Sequence, residues 1–139
     1  MALEVVATWR GGMATDVRAR GHEIRVDEPE TAGGDDSGMM PTELFCAALA
    51  SCFCLAVGFA ARKRDLDVPG LKVTVTAERA GTELRYEHLA VTTEAAVEPD
   101  LLARLVERAR PLCWVSNTLA AGVSVEYLHT TTVNDRFRK

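Results

Sequence analysis

The sequence lacks an excess of positive charge. It carries 16 Lys and Arg against 20 Asp and Glu, a formal net charge of -4 over 139 residues. Proteins that bind nucleic acid through a basic patch need clustered Lys and Arg, so this balance disfavours a nucleic-acid partner. Internal repeats, low-complexity linkers and breaks in composition are also missing. We therefore expect one domain that spans residues 1–139.

Charge is completely absent from residues 44–61, LFCAALASCFCLAVGFAA. These 18 residues are at the lower length limit for a membrane span. Six of them are Ala, and Ser51, Gly58 and three Cys accompany these, so the segment is only moderately apolar for an insertion sequence. A helix that is apolar on all sides can also be the centre of a core. We interpret the segment as a buried helix and expect no membrane association.

A basic N-terminal region is missing as well, since the chain begins Met-Ala-Leu-Glu. We therefore expect no secretory signal and a cytoplasmic location. Thiols stay reduced in the cytosol. The four cysteines of the chain are then expected to serve chemistry or packing rather than a disulfide scaffold.

Turn signals and hydrophobic periodicity divide the rest of the chain into short elements. A phase slip near residues 86–91 indicates a bulge in the fifth strand, and a polar tail starts at about 130. This order predicts an α+β domain with a long central helix. That helix would be about 36 Å long, too long for one chain to cover, so we expect a second subunit to complete its burial. The predicted strands are 3–9, 16–20, 22–26, 71–78, 84–97 and 123–127, and the predicted helices are 41–64, 99–110 and a short turn that opens at Ser116–Thr118.

A metal site is not predicted from the cysteines. Cys46, Cys52 and Cys54 have the spacing C-x₅-C-x-C within one helix, whereas structural zinc sites use convergent C-x₂₋₄-C pairs. On an ideal helix Cys46 and Cys54 lie roughly 120° and 200° around the axis from Cys52, so the three thiols cannot share an ion. The three histidines are scattered over separate elements without metal-ligand spacing. For any single Cys in an Ala-rich helix, core packing is the simplest role.

The fourth cysteine, Cys113, lies where an amphipathic helix ends at Pro111 and a new helical start signal follows. This is a suitable position to present a thiol. At most one of the three helix cysteines can face it across a helix crossing. The residues alone leave core packing and chemistry both open for Cys113.

Several short motifs occur in one order over residues 3–128 and together resemble the OsmC/Ohr family, the osmotically inducible and organic-hydroperoxide-resistance proteins. The resemblance implies antiparallel sheets around two long central helices in an intertwined homodimer, with a thiol peroxidase site at the subunit interface. The motifs are RGHEIRVDEP at 20–29, GG at 33–34, G-x-x-P-x-E-L at 38–44, AALASC at 47–52 and CWVSNTL at 113–119.

The resemblance assigns the peroxidatic cysteine to Cys52 and the resolving cysteine to Cys113, whereas Cys46 and Cys54 match no catalytic position. It implies that a Cys52 thiolate reduces an organic hydroperoxide, or hydrogen peroxide, and becomes a sulfenic acid. Cys113 then forms a disulfide with Cys52, which an external dithiol must reduce. No metal, haem, flavin or other cofactor is expected.

The chain departs from the hydroperoxide-resistance pattern at three points. The family's catalytic glutamate is ten residues before the cysteine, where this chain has Thr42. Glu43 lies one step later, about 180° from Cys52 on an ideal helix. It is a catalytic candidate through a dimer partner, or a helix N-terminal charge that contributes up to about 1 kcal/mol. Trp114 replaces the proline that follows the second cysteine in the family.

The third departure concerns the family's arginine, which no residue matches securely; the candidates are Arg10, Arg18, Arg20 and Arg25. The alternative function is accordingly an OsmC-like ligand-binding or structural dimer with weak or no peroxidase activity.

Overall fold

The computed structural model of the chain describes residues 2–133. Within this range three strands, a long helix, a hairpin and two further helices follow one another, which confirms the predicted α+β class. The strands are β1 (Val6–Trp9), β2 (Thr15–Ala19), β3 (His22–Val26), β4 (Lys72–Arg79) and β5 (Tyr86–Glu94), and the helices are α1 (Pro41–Arg62), α2 (Pro99–Ala109) and α3 (Trp114–Ala121).

The first three strands form an antiparallel meander in the order β1-β2-β3. Gly11 and Gly12, at the turn between β1 and β2, both have positive φ angles of 90° and 55°, a backbone region in which a Cβ atom is strained. This is the meander that the Gly11–Gly12 turn signal predicts. β4 and β5 form a second, separate antiparallel sheet.

The bulge predicted in the fifth strand is present. Glu78 pairs with His88, but the next residue, Arg79, pairs with Tyr86, so Glu87 is the extra residue on β5. The two faces of β5 exchange at this position, and this explains the phase slip in the sequence.

Helix α1 begins at Pro41 as predicted and ends at Arg62, two residues before the predicted end. After the helix the backbone makes two hydrogen bonds that span three residues: the Arg64 N–H donates to the Ala61 carbonyl, and the Asp65 N–H donates to the Arg62 carbonyl. Asp65 adopts a φ of +52°. One side of α1 packs on β4, α2 and α3. The core residues on these elements are Leu49, Phe53, Ala56, Val57, Ala60, Ala61, Leu105, Ala109 and Cys113.

Helix α2 matches its prediction, and Pro111 lies in a single 3₁₀ turn, Arg110–Leu112, that follows it. Helix α3 starts at Trp114 rather than at Ser116, so the prediction of its start was two residues late. Cys113 is the extended residue before the helix (φ -90°, ψ 106°), and Asn117 makes the first helical bond back to its carbonyl oxygen.

The prediction of a last strand at 123–127 is wrong for this chain. A strand needs a hydrogen-bonded neighbour, and the described residues offer none beside this segment. Val123, Val125 and Tyr127 are 69%, 67% and 89% exposed. Residues 130–133 of the polar tail have no helix or strand, and 134–139 lie outside the described residues.

Candidate active site

Cys52 and Cys113 come together where α1 crosses the start of α3. Cys52 is half-buried and packs on the core cluster to which Cys113 belongs. Cys113 is completely buried, with 0% exposure. Both thiols are free, and Cys52 packs against the cluster that contains Cys113. Solvent therefore reaches Cys52 in part, whereas Cys113 is enclosed.

The surroundings of Cys113 shift the pKa of its thiol. Burial alone raises the pKa of the Cys113 thiol, because it disfavours the charged form. Ser116 acts in the opposite direction and lowers the pKa of this thiol. Its hydroxyl donates a hydrogen bond of 3.3 Å to the Cys113 carbonyl oxygen. The Cys52 thiol and the backbone N–H of Val115 add to this effect, and the pKa of Cys113 ends below its ordinary value.

The other two cysteines lie on α1 away from this contact. Both Cys46 and Cys54 are half-buried. Cys46 lines a cavity of about 420 Å³ between the first turns of α1 and the β4–β5 hairpin, together with Met40, Glu43 and Tyr86. Among residues 2–133, no three His, Cys, Asp or Glu side chains form a cluster that could hold a metal ion.

Glu43 lies in the first turn of α1, and its carboxylate is engaged there. Oε1 accepts a hydrogen bond of 3.0 Å from the backbone N–H of Met40, the residue that precedes the helix. This bond is the half of a capping box that the residue at the third helical position supplies. The partner of Glu43 is therefore the helix terminus and neither of the two thiols.

The candidate arginines of the N-terminal sheet are paired with its own carboxylates. Arg10 and Arg25 both bind Asp16, at 2.9 and 2.7 Å, and Arg18 binds Glu23. The hydrogen bond from Arg25 is the main cause that holds the pKa of Asp16 below its ordinary value. Arg20 is exposed at the turn between β2 and β3. The chain therefore does not bring these guanidinium groups to the thiol pair.

Two features beside the thiol pair were missed in the sequence. The first is Ser116, whose hydroxyl lies next to Cys113. The sequence feature that could have indicated it is its position three residues after the cysteine, at the start of a helix. Arg110 and Glu107 form an ion pair of 3.2 Å at the i,i+3 spacing that is visible in the sequence of α2. This pair stands at the rim of a cavity of about 620 Å³ whose walls include Leu49, Phe53 and Ser116.

A buried carboxylate fixes the loop that leads into α1. Asp27 is 1% exposed and accepts hydrogen bonds from the N–H groups of Glu28, Asp35 and Ser37 and from the Ser37 hydroxyl. These bonds, above all those from Ser37, lower the pKa of Asp27. The loop closes so tightly that a Cβ atom on Gly34 would lie 1.9 Å from the Glu28 carbonyl oxygen. The motif residues 20–29 and 33–34 thus set the position of the helix that carries Cys52.

Large apolar side chains are exposed on the other side of α1 and at the start of α3. Leu55 is 75% exposed, Phe59 is 52% exposed, and Trp114, next to Cys113, is 82% exposed. Together with Ala48 and Ser51, Leu55 and Phe59 form a continuous line along α1, which we call the exposed stripe of α1. Only 33% of the most apolar window of α1 is buried within this chain.

The fold and the two cysteines define a class of α+β proteins. In this class a long central helix carries one cysteine, and the second cysteine stands directly before a short helix. The chain belongs to the family of OsmC-like proteins, whose sequence model matches residues 34–128. This confirms the resemblance to OsmC/Ohr proteins. No match is found among curated protein sequences.

Solved structures of the same fold agree with this assignment. An OsmC-like protein from Mycoplasma pneumoniae superposes with a TM-score of 0.75 at 15% identity, over 86% of this chain and 88% of that one. An organic hydroperoxide resistance protein from Legionella pneumophila gives 0.63 at 22% identity, over 86% and 89% of the two chains. The organic hydroperoxide resistance protein OhrB of Bacillus subtilis gives 0.58 at 21% identity, over 85% and 90%.

The fold also explains the apolar run of residues 44–61. Helix α1 is long and apolar enough to cross a membrane, with a mean hydropathy of 2.3 over its most apolar window. In the OsmC-like fold it is instead the helix on which β4, α2 and α3 pack. The run is a core helix, as the sequence indicates.

Proposed function

We propose that this protein is a thiol-dependent peroxidase that reduces organic hydroperoxides. Hydrogen peroxide is a further candidate substrate. The observation that carries the proposal is the packing of the half-buried Cys52 against the core cluster that contains the fully buried Cys113. Disulfide formation in one chain requires the two sulfur atoms to come together, and the packing of Cys52 on the cluster of Cys113 supports such a pair. The names of the Legionella and Bacillus proteins of the same fold support a peroxide-related role.

The reaction begins with the Cys52 thiolate. Its sulfur attacks the terminal oxygen of the hydroperoxide, an S–O bond forms, and the O–O bond breaks. The electron pair leaves with the alkoxide, which takes up a proton and becomes an alcohol. Cys52 is left as a sulfenic acid.

Cys113 then closes the catalytic disulfide. Its thiolate attacks the sulfur of the sulfenic acid, an S–S bond forms, and the S–O bond breaks to release hydroxide, which is protonated to water. The pair has then lost two electrons to the peroxide. An external dithiol restores both thiols by exchange, and the proposed cycle uses no metal or organic cofactor.

Glu43 supports this site from the N-terminus of α1. Its carboxylate caps the helix that carries Cys52 and places a negative charge at the positive end of the helix dipole. In the proposed function Glu43 is therefore a positioning residue for the first turns of α1.

The proposed working form is a cytoplasmic homodimer. The exposed stripe of α1 is apolar along most of its length, and such a stripe on a core helix is the surface that a second copy would bury. The exposed Trp114 would lie at the edge of the same contact, beside the thiol pair.

The second candidate function is a ligand-binding or structural dimer with weak or no peroxidase activity. The observation in its favour is that Arg10, Arg18 and Arg25 are paired with carboxylates of their own sheet. A buried thiol without a cation near it is a poor nucleophile.

The two functions are separated by measuring peroxide consumption. Purified, reduced protein is mixed with cumene hydroperoxide and a series of dithiols, beside the variants Cys52→Ser and Cys54→Ser. We expect the protein and the Cys54→Ser control, which changes a half-buried cysteine of the same helix, to consume the peroxide. Cys52→Ser should fall to the rate without protein. If no dithiol supports consumption and Cys52→Ser behaves like the unchanged protein, the peroxidase function is wrong.

A further inference from the structure

We propose that a cavity between the loop before α1 and the β4–β5 hairpin binds a small zwitterion with an apolar side chain, a free amino acid of the phenylalanine type. In this site Arg79 binds the carboxylate and Glu28 binds the ammonium group. None of the four cysteines lines the cavity, so the inference goes beyond the proposed function and does not depend on it.

The cavity has the size of a small-molecule site. Its volume is about 700 Å³, within the range of about 300–1,000 Å³ that such sites occupy. Its walls come from three parts of the chain: the loop before α1, the first two turns of α1, and the hairpin. No residue of the exposed stripe of α1 lines it, so the proposed dimer contact uses a different surface. The lining residues include Glu28, Phe45, Arg79, Leu84, Arg85 and Tyr86.

Two opposite charges line this cavity without pairing. Among the described residues, neither Glu28 nor Arg79 forms an ion pair. Arg79 instead donates from Nε to the Glu83 carbonyl at 2.9 Å and from Nη2 to the Thr82 carbonyl at 3.0 Å. The other cation, Arg85, is paired with the Glu83 carboxylate.

This charge pattern selects the class of ligand. The cavity retains one positive and one negative group that its own residues do not neutralise. A simple anion would be repelled by Glu28, and a simple cation would be repelled by Arg79. A zwitterion presents an opposite charge to each of them, and hydrogen bonds between charged groups are the strong ones.

The backbone on both sides of the cavity is held in place. The Glu28 N–H donates to the buried Asp27 carboxylate at 2.8 Å, and the Glu28 carbonyl accepts from the Asp36 N–H at 3.0 Å. On the opposite side, the two bonds to carbonyl oxygens of the hairpin turn hold the Arg79 guanidinium. A ligand therefore has to order little more than the Glu28 side chain, which keeps the entropic cost of binding low.

Aromatic side chains supply the apolar part of the site. Phe45 and Tyr86 are 40% and 37% exposed, and both also line a second cavity of about 470 Å³. Rings that are open to solvent gain free energy when an apolar group of a ligand covers them. A zwitterion without such a group would leave the rings exposed, so the site favours phenylalanine over glycine.

The test is an NMR titration of the reduced, ¹⁵N-labelled full chain with phenylalanine. Three related compounds each lack one recognised group: 3-phenylpropanoate lacks the ammonium group, 2-phenylethylamine lacks the carboxylate, and glycine lacks the ring. We expect phenylalanine to give saturable shifts of the amides of Glu28, Phe45 and Arg79. Each of the other three compounds should bind about tenfold more weakly or worse, the effect of one lost interaction of this kind. If phenylalanine gives no saturable shifts at these residues, or if any of the three compounds binds as tightly, the inference is overturned.

Two substitutions assign the charges separately. Glu28→Gln should weaken phenylalanine by about tenfold but should not weaken 3-phenylpropanoate, which has no ammonium group to lose a partner. Arg79→Gln should weaken phenylalanine but should not weaken 2-phenylethylamine, and this second result also shows that the hairpin is intact. Glu30→Gln and Arg108→Gln are the matched controls, because they remove exposed charges that do not line the cavity. Losses that are equal for phenylalanine and the matching analogue, or equal in the controls, contradict these roles. The titrations use no peroxide, so an inactive peroxidase does not affect their outcome.

Discussion

Individual side chains with several bonds fix the surroundings of the thiol pair. The Asp27 carboxylate accepts three hydrogen bonds from the loop before α1. The donors are the backbone N–H groups of Asp35 and Ser37 and the Ser37 hydroxyl. At the start of α3 the Ser116 hydroxyl donates to the Cys113 carbonyl oxygen. The Asp27 carboxylate is more stable when charged, and the local backbone supplies three of its four donors.

Asp27 should make stability depend on pH in the acid range. Its pKa is lowered in the folded protein, so the stability that it contributes is complete above the ordinary value of 3.8 and is lost as the pH falls through the lower folded value. We expect Asp27→Asn to lower the urea midpoint at neutral pH and the difference from the unchanged protein to shrink below about pH 3.8. Urea unfolding at several pH values measures this.

Ser37→Ala is the control for this prediction. It removes one donor at 2.6 Å but retains the carboxylate, so the loss should be smaller and the acid dependence should remain. A difference between Asp27→Asn and the unchanged protein that stays constant down to the lowest pH would contradict the role of the charge.

Glu43 should affect α1 more than it affects the chemistry. Gln can replace Glu in a capping box, so Glu43→Gln should retain the bond to the Met40 N–H. We expect peroxide consumption within about threefold of the unchanged protein and a loss of less than about 1 kcal/mol of stability. Glu43→Ala should lose about 0.5–1 kcal/mol. A loss of activity in Glu43→Gln as large as that in Cys52→Ser would make the carboxylate catalytic.

The packing of α1 on α2 is the main support of Cys52. Leu105 and Ala109 of α2 and Val57 of α1 are all 0% exposed. We expect Leu105→Ala to lower the free energy of unfolding by about 2–5 kcal/mol, because it opens a cavity in the centre of this contact. Urea unfolding at one protein concentration measures the loss. Leu112→Ala, at a leucine that is 44% exposed, should lose clearly less, and equal losses would contradict this account of the core.

Elements with their own periodicity could be predicted from the sequence. Helix α1 has a proline at its first position and an unbroken apolar run, and the Glu87 bulge is visible as a phase slip because the two faces of a strand alternate. The segment 123–127 has the same alternation but forms no strand, since alternation does not supply the neighbouring strand that hydrogen bonding requires.

The site could be predicted only in part. Motif order selects Cys52 and Cys113 among four cysteines. The bond from the Ser116 hydroxyl to the Cys113 carbonyl oxygen depends on how α3 begins, and the partners of Arg10 and Arg25 depend on the register of β1, β2 and β3. These contacts arise from the three-dimensional arrangement, and spacing in the sequence does not contain them.

The whole molecule should be a dimer through the exposed stripe of α1. A charge in the centre of an apolar contact is left without a partner, so we expect Leu55→Asp to shift the protein to a monomer in analytical ultracentrifugation. Arg104→Asp, on the exposed side of α2, adds the same side chain away from the stripe and should leave the association unchanged. If the unchanged protein is already a monomer, the expectation of a dimer is wrong. If Leu55→Asp remains associated, another surface forms the dimer.

The central claim is that Cys52 and Cys113 form one redox pair, and disulfide mapping tests it most directly. The reduced protein is treated with one equivalent of cumene hydroperoxide, the remaining thiols are alkylated, and the peptides are identified by mass spectrometry. The account predicts a single disulfide between Cys52 and Cys113, with Cys46 and Cys54 alkylated. A disulfide that contains Cys46 or Cys54, or a protein in which all four cysteines remain reduced, would contradict it.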